Sequence, residues 1–232
     1  MSHHKPDPNV KVNLTINGIP ITVPEGTRIL EAAQFANVKI PTLCEHPDLC
    51  KRGLCRICVV EADGRGKLIA ACANDVWEGV NIVTNNLRLL NVRKTILELI
   101  LANHPQDCLT CVRNTKCELQ TLAAEMNIRK TPFEPILKRD STSGRCVEIV
   151  ENRKGENLTL VRDMDKCVKC CRCVEACQNV EKTGAINTSH RSKNFTITTP
   201  FNQSLKESNC NGCEKCADVC PVGAIYSQPQ TV

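Results

Sequence analysis

An α+β chain of three small modules in series is the fold class that the sequence predicts, on three observations. Apolar and polar residues alternate over Val10–Ile16 and again over Ile19–Val23, the mark of half-buried strands. Between Asn86 and Asn103 the apolar residues recur at helical spacing. Eighteen cysteines in 232 residues fall into four sets, the last two repeating one spacing.

The first module is expected over residues 10–85, behind a disordered tail at 1–9 in which His3 and His4 are solvated. Val10, Val12, Leu14 and Ile16 face one side of a strand, and Asn17-Gly18 is a hairpin turn signal. Ile19, Ile21 and Val23 form the return strand, which Pro24-Glu25-Gly26 breaks. Thr27 can cap a helix running to about Ala36. Two further strands are predicted at Arg56–Glu61 and Lys67–Cys72, joined by Asp63-Gly64. A hairpin, a helix and more strands make a β-grasp domain.

The second module, 86–130, is helical. Leu89, Leu90, Ile96, Leu97, Leu99 and Ile100 mark one broad apolar face, His104-Pro105 ends the helix, and a second helix is expected over Thr115–Asn127. Residues 131–159, rich in Pro, Ser and charge, form a connecting segment. The third module, 160–232, holds two similar runs, Cys167–Ile186 and Cys210–Ile225, each ending in Gly-Ala-Ile, an internal duplication at the level of motif.

Composition says what binds these modules together. Four Phe, one Trp and one Tyr are thin core material, and small cysteine-rich modules are stapled by disulfides or by metal. The polar start, Met1–Val10, has no charged leader followed by an apolar run. The longest apolar stretch, Ile96–Ala102, is interrupted by Glu98 and is too short for a bilayer. The expectation is a soluble, cytoplasmic chain whose clustered cysteines are metal ligands. The net charge of +5 does not point to nucleic acid. Lysines and arginines are scattered among acids without interleaved aromatics, and coordinating thiolates would bring the loaded chain to about −2.

The cysteine spacing carries the chemistry. Cys167, Cys170, Cys173 and Cys177 follow C-x2-C-x2-C-x3-C, and Cys210, Cys213, Cys216 and Cys220 repeat it, with Pro221 behind. This is the bacterial two-cluster ferredoxin run. Three cysteines wrap three corners of a four-iron cubane, and the fourth, on a following helix, reaches the other cluster. Cys167, Cys170, Cys173 and Cys220 are therefore expected to hold one [4Fe–4S] cluster, and Cys210, Cys213, Cys216 and Cys177 its neighbour. Gln178 stands where a proline follows the other run. Structural zinc needs only four ligands and no duplicated set of eight.

Cys44, Cys55, Cys58 and Cys72 form an earlier set, with Cys55-x2-Cys58 in a loop of small and basic residues. Four thiolates around a two-iron core suit a β-grasp frame, although the first gap is ten residues and not the four of plant-type ferredoxins. Backbone N–H groups of the loop around Gly53 can tune such a centre. His104, Cys108, Cys111 and Cys117, spaced H-x3-C-x2-C-x5-C, suit iron or zinc equally on spacing alone. Cys50, Cys146 and Cys171 are left as extra thiols in crowded loops, with Cys50 and Cys171 placed to serve as alternative ligands. His46 and His190 read as surface residues.

Taken in order, the segments IPTLCEHPDLCKRGLCRICVVE, ILANHPQDCLTCVRNTKCELQ, CVKCCRCVEACQNVEKTGAI and CNGCEKCADVCPVGAI resemble the N-terminal iron–sulfur region of [FeFe]-hydrogenases. The same region is found in the large iron–sulfur subunit of complex I, in NAD-linked formate dehydrogenases and in the small diaphorase subunit of NAD-reducing hydrogenases. The resemblance covers roughly residues 10–226. It implies that His104, Cys108, Cys111 and Cys117 hold a [4Fe–4S] cluster, for a total of one [2Fe–2S] and three [4Fe–4S] clusters. The sequence stops at Val232 without a recognisable catalytic domain or a G-x-G-x-x-G dinucleotide fingerprint. No catalytic residue is expected in it.

The function that follows is an electron-relaying subunit of a multi-subunit NAD(P)-linked oxidoreductase of hydrogenase, formate dehydrogenase or transhydrogenase type. The resemblance implies a flavin- and NAD(P)-binding partner subunit, ferredoxin or a separate catalytic subunit as a second partner, and an electron-bifurcating setting. The rival readings are a free-standing multi-cluster ferredoxin, a fragment of an [FeFe]-hydrogenase, and a redox-silent zinc scaffold.

Overall fold

The computed structural model describes residues 6–63, 68–136, 145–151, 155 and 157–228; of Arg145, Cys146 and Glu151 it describes the backbone. His3, His4, Gly64 and Lys67 lie outside the described residues. Two compact units make up the chain: Met1–Thr42 with Lys51–Ile96, and Leu43–Cys50 with Leu97–Val232.

The first unit is a five-stranded mixed sheet under one helix. β1 (Lys11–Ile16) and β2 (Ile19–Pro24) pair antiparallel with Ile16 opposite Ile19. Asn17 and Gly18 both take positive φ, 52° and 81°, the conformation that matches the twist of the flanking strands. Val12, Leu14 and Ile16 are buried between exposed or half-buried neighbours, as the alternation requires. The tail does not stay loose up to Val10. Asp7 donates its N–H to Glu25 Oε2 at 2.9 Å and accepts that of Val10 at 3.0 Å, so residues 6–9 form a turn against the end of β2.

α1 (Ile29–Phe35) buries Ile29, Leu30, Ala32 and Ala33 on the sheet. Thr27 does not cap it. Its hydroxyl closes the preceding turn on Pro24 O at 2.6 Å, and Arg28 precedes the helix with its N–H on Glu31 Oε2. β3 (Val59–Ala62) and β4 (Ile69–Ala70) are shorter than the predicted strands, and Cys72 sits on a tight turn after β4. β5 (Asn81–Val83) was not predicted. It lies parallel to β1 and antiparallel to β3, giving the order β2-β1-β5-β3-β4. Parallel neighbours need a long crossover, supplied by α1, β3 and β4. Thr84, 3% exposed, is latched to Asn17 by two bonds of 2.7 and 2.8 Å beyond the end of β5.

α2 (Leu87–Ala102) begins in the first unit and ends in the second. Asn86 caps it, accepting the Leu89 N–H at 2.9 Å. Its buried line is Leu89, Arg93 and Leu97, one residue per turn; Leu90 and Leu99, expected on the apolar face, are exposed. α3 (Glu118–Glu125) is shorter than expected because Thr115 and Asn127, its predicted ends, take positive φ of 68° and 51°, which a helix cannot contain.

The rest of the second unit is a duplicated frame. β6 (Arg145–Glu151) and β7 (Asn157–Asp163) form a hairpin within and after the segment expected to be a connector. β6 escapes prediction because its pattern is inverted. Glu148 and Val150 are buried, while Val147 and Ile149 point outward. The Glu148 carboxylate accepts Arg162 Nε and the Leu205 N–H, each at 2.7 Å, which makes its burial tolerable. Next come α4 (Arg172–Glu175), continued by a wide π-type turn over Ala176–Val180, the small hairpin of β8 (Asn187–Ser189) and β9 (Thr196–Thr198), α5 (Lys215–Asp218), and β10 (Ile225–Gln228), which joins β7. No helix among the described residues is long and apolar enough to cross a membrane.

Candidate metal centres

The two loops of the duplicated motif share a backbone shape. In the first, Lys169 and Cys171 take positive φ of 57° and 61°; in the second, Gly212 and Glu214, at the same two offsets from the leading cysteine, take 59° and 61°. Left-handed conformations in non-glycine residues cost energy and concentrate at functional sites. Here they turn backbone N–H groups toward sulfur, the geometry of an anion-binding nest. Lys169 N–H donates to Cys167 Sγ at 3.4 Å.

Folding exchanges the fourth cysteines. Cys167, Cys170 and Cys173 line one recess together with Cys220, which comes from the other motif just after α5. Cys210, Cys213 and Cys216 line a second recess together with Cys177, carried on the turn after α4. Cys177 Sγ also receives the Ile186 N–H at 3.4 Å and contacts Thr183 Oγ1 at 3.1 Å. The walls between the thiols are apolar: Val222, Ala224 and Ile225 in the first, Leu160, Ala185 and Ile186 in the second. The Gly-Ala-Ile repeats thus place equivalent Ala-Ile pairs in both recesses. Cys171, 1% exposed, is a fifth thiol of the first recess.

Burial pushes these thiols up. Desolvation is the largest influence on Cys167, raised to about 12, and on Cys170, Cys173 and Cys216, all raised further by neighbouring sulfurs. Such thiols stay protonated at neutral pH unless a cationic centre replaces their protons. Four soft donors around a dry recess, with backbone N–H groups turned to the sulfurs, fit an iron–sulfur core.

The His104 set stands in the same unit. His104, Cys108 and Cys117 line a third recess, while Cys111 follows a tight turn at Cys108–Thr110. Cys117 precedes α3, where the N–H groups of Leu119 and Gln120 partly offset the desolvation that raises it. Cys108 is exposed and Cys117 buried. This set is bonded to the duplicated frame: Glu118 N–H reaches Pro221 O at 2.9 Å, and an Arg113 Nη reaches Ala217 O at 2.7 Å. A Cβ on Gly223 would lie 2.9 Å from Cys111 Sγ, too close for any real contact. Gly223→Val is therefore expected to displace Cys111 and to cost about 1–3 kcal/mol of stability. If the set holds a four-iron cluster, iron analysis should find a loss of about four irons per chain.

In the first unit Cys58 and Cys72 bring their sulfurs to 3.4 Å, both fully buried, and Cys55 is half-buried nearby in sequence. Arg28 Nη1 holds Cys72 O at 2.8 Å, and buried Arg93 holds Val59 O at 2.6 Å. Cys44 is buried on the Leu43–Cys50 segment, which groups with the second unit. There Leu49 packs with Ala176 and Val219, neighbours of Cys177 and Cys220. Cys50 is exposed, and the Cys146 side chain lies outside the described residues. His190 is exposed and His46 half-buried, its ring accepting the Asp48 N–H. Among the described residues no three His, Cys, Asp or Glu side chains close on a single-ion point; the thiols ring their recesses. Two residues escaped the sequence reading: Arg93 and Arg172, both 4% exposed, whose Nε atoms are buried without a hydrogen-bond partner among the described residues. Arg172 could have been found from its place between Cys171 and Cys173, whereas Arg93 stands 15 residues from the nearest cysteine and carries no such signal.

Comparison with known proteins follows the same order along the chain. Residues 9–87 match the 2Fe-2S iron-sulfur cluster binding domain, 93–132 the NADH-ubiquinone oxidoreductase-G iron-sulfur binding region, and 155–226 the ferredoxin-like domain of NADH-quinone oxidoreductase subunit 3. The chain is 39% identical over 219 residues to the NADP-reducing hydrogenase subunit HndD of Solidesulfovibrio fructosivorans, covering 92% of this chain and 36% of that one. It is 31% identical over 218 residues to the NADPH-Fe(3+) oxidoreductase subunit alpha of Geobacter sulfurreducens, covering 94% and 24%. It is 33% identical over 223 residues to the 78 kDa subunit of mitochondrial NADH-ubiquinone oxidoreductase of Candida albicans, covering 94% and 29%. The chain thus spans about a third or less of these curated relatives. A chain of the crystal structure of an NAD+-reducing [NiFe]-hydrogenase in the H2-reduced state superposes with a TM-score of 0.80 at 29% identity, over 94% of this chain and 87% of that one.

Proposed function

The chain belongs to the iron–sulfur domain family of NADH-ubiquinone oxidoreductase-G and its hydrogenase relatives, and on that premise we propose that it is the electron-relaying subunit of a multi-subunit NAD(P)-linked oxidoreductase. It takes single electrons from, or delivers them to, a flavin- and NAD(P)-binding subunit, and exchanges them with ferredoxin or a catalytic partner. The observation that carries this reading is the pair of recesses with exchanged fourth cysteines, Cys220 in one and Cys177 in the other. Two centres that share their ligand loops are held at a fixed, short separation.

Cys44, Cys55, Cys58 and Cys72 would hold a [2Fe–2S] cluster, all four lying within the matched 9–87 region. His104, Cys108, Cys111 and Cys117 would hold a [4Fe–4S] cluster, and the two crossed sets would hold two more. When bound, the clusters supply one-electron redox chemistry. The residues of the chain do the remaining work. Thiolates fix each centre, Lys169 and Ile186 N–H groups donate to sulfur, and apolar walls exclude water, all of which set potential. His104 is a ligand in this scheme and not a proton carrier.

Anoxic native purification, with iron analysis and identification of every co-purifying chain, tests the reading. The expected result is a brown protein with about 14 irons per chain, in fixed ratio with a flavin-containing NAD(P)-binding subunit. A brown chain that emerges alone would replace the subunit reading by a mobile multi-cluster ferredoxin. A colourless zinc protein would end both.

A further inference from the structure

Arg172 lies inside the first ferredoxin-type loop, between Cys171 and Cys173, yet it is 4% exposed. Its two terminal nitrogens hold the Glu118 carboxylate at 2.6 and 2.7 Å, a bidentate clamp, and one of them also lies 3.5 Å from Val219 O. The Nε–H, buried, has no partner among the described residues. The pair is lopsided. The guanidinium is in the interior, whereas the Glu118 side chain is 44% exposed and meets solvent. Water screens the anion far more than the cation, so the pair leaves a net positive field inside the protein.

That field falls on cysteines. Burial weakens the hold of Arg172 on its proton, but Glu118 and then the sulfurs of Cys170 and Cys44 more than offset this. In return the Arg172 backbone N–H and its guanidinium both ease the ionisation of Cys170 against its desolvation. Glu118 itself adjoins Cys117 of the His104 set. The clamp therefore links the loop of one set to the ligand helix of another. A buried charge in this position costs free energy that the fold could have avoided with an apolar side chain.

Resting on the function proposed above, we propose that Arg172 is a potential-setting residue for the [4Fe–4S] cluster of Cys167, Cys170, Cys173 and Cys220: its permanent positive charge stabilises the reduced state, and Glu118 limits that effect. Reduction adds one negative charge to the centre, and an arginine cannot lose its own charge in response. Glu118 positions the guanidinium and trims its field from the solvent side. The two residues therefore act on the potential with opposite signs.

The test is an EPR-monitored titration with dithionite of the anoxically purified, fully loaded chain and of its Arg172→Gln, Arg172→Lys and Glu118→Gln variants, each checked for iron content. At the midpoint of the wild type, Arg172→Gln is expected to lower the reduced-to-oxidised ratio of this cluster about tenfold, which is 59 mV for a one-electron couple. Arg172→Lys should recover most of the loss, and Glu118→Gln should raise the ratio several-fold. A fully loaded Arg172→Gln variant at the wild-type midpoint overturns the proposal, as does a downward shift from both Gln variants, which a structural role alone would give. If Arg172→Gln loses iron, Glu118→Gln decides: an upward shift supports the proposal, and no shift or a downward one overturns it. A wild-type chain without [4Fe–4S] signals removes the proposed function itself, and this inference with it.

Discussion

Replacing Cys220 with alanine is expected to strip iron from the loop of Cys167, Cys170 and Cys173 and to spare the loop that directly precedes it in sequence. Cys220 belongs by chain order to the run beginning at Cys210, but it lines the recess of the other run. Cys177 lines the recess of Cys210, Cys213 and Cys216. Each single variant should lose about four of about 14 irons, or be left with a three-iron remnant. Double variants distinguish the crossed from the uncrossed arrangement, because changes acting through one centre are not additive. Cys220→Ala with Cys170→Ser should cost no more than either change alone. Cys220→Ala with Cys213→Ser should cost a second set of about four irons. Iron analysis and low-temperature EPR read both. If instead the second pair were the non-additive one, the exchange of cysteines would be refuted.

Removing iron is expected to unfold the second unit and to spare much of the first. The core of the second unit is built partly of the thiols themselves: Cys171, Cys173, Cys177 and Cys216 are buried among Val150, Leu160, Ile186, Ile197 and Leu205. Without metal, recesses lined by unlinked thiols replace the cross-links of a core that is short of aromatics, and small metal domains of this kind fold only when loaded. The core of the first unit is aliphatic, with Ile16, Ile29, Val60 and Ile82 fully buried. Hydrogen exchange on loaded and chelator-treated chain should therefore show protection lost across residues 157–228 and kept across β1, β2 and α1. Any residual structure of the metal-free second unit should weaken as pH rises. Unfolded thiols ionise near 9.0, whereas Cys167 in the folded chain holds its proton to about 12. The unfolded state binds fewer protons over that window, so stability falls from about pH 9 upward. Stability that rises with pH in that window would contradict the desolvated sites described here.

The elements that were legible in the sequence are those whose cause is local. The β1–β2 hairpin was visible because alternation and Asn17-Gly18 act within a dozen residues. The sharing of one recess by Cys220 with Cys167, Cys170 and Cys173, and of another by Cys177 with Cys210, Cys213 and Cys216, follows the repeated spacing, because that spacing is a property of short loops. Elements whose cause lies elsewhere in the fold were missed or misplaced. β5 exists because β1 and β3 flank it, and its three residues carry no alternation of their own. β6 carries its apolar residues outward because Glu148 is held inside by Arg162 and Leu205. Leu90 stands seven residues from Leu97, on the same side of the helix, but is exposed, since periodicity shows that a face exists without showing how wide a face is covered.

The sequence by itself determined which residues are available for metal chemistry: sixteen candidate ligands in four sets, in a chain short of aromatic core material. Only the tertiary structure decided the electrostatics around those donors. The reason is distance. Arg172 and Glu118 are 54 residues apart along the chain and 2.6 Å apart in space, and Gly223 meets Cys111 across a gap about twice as long. Fields and close approaches depend on separation in space and on exposure to water, and neither is written in the spacing of residues along a chain.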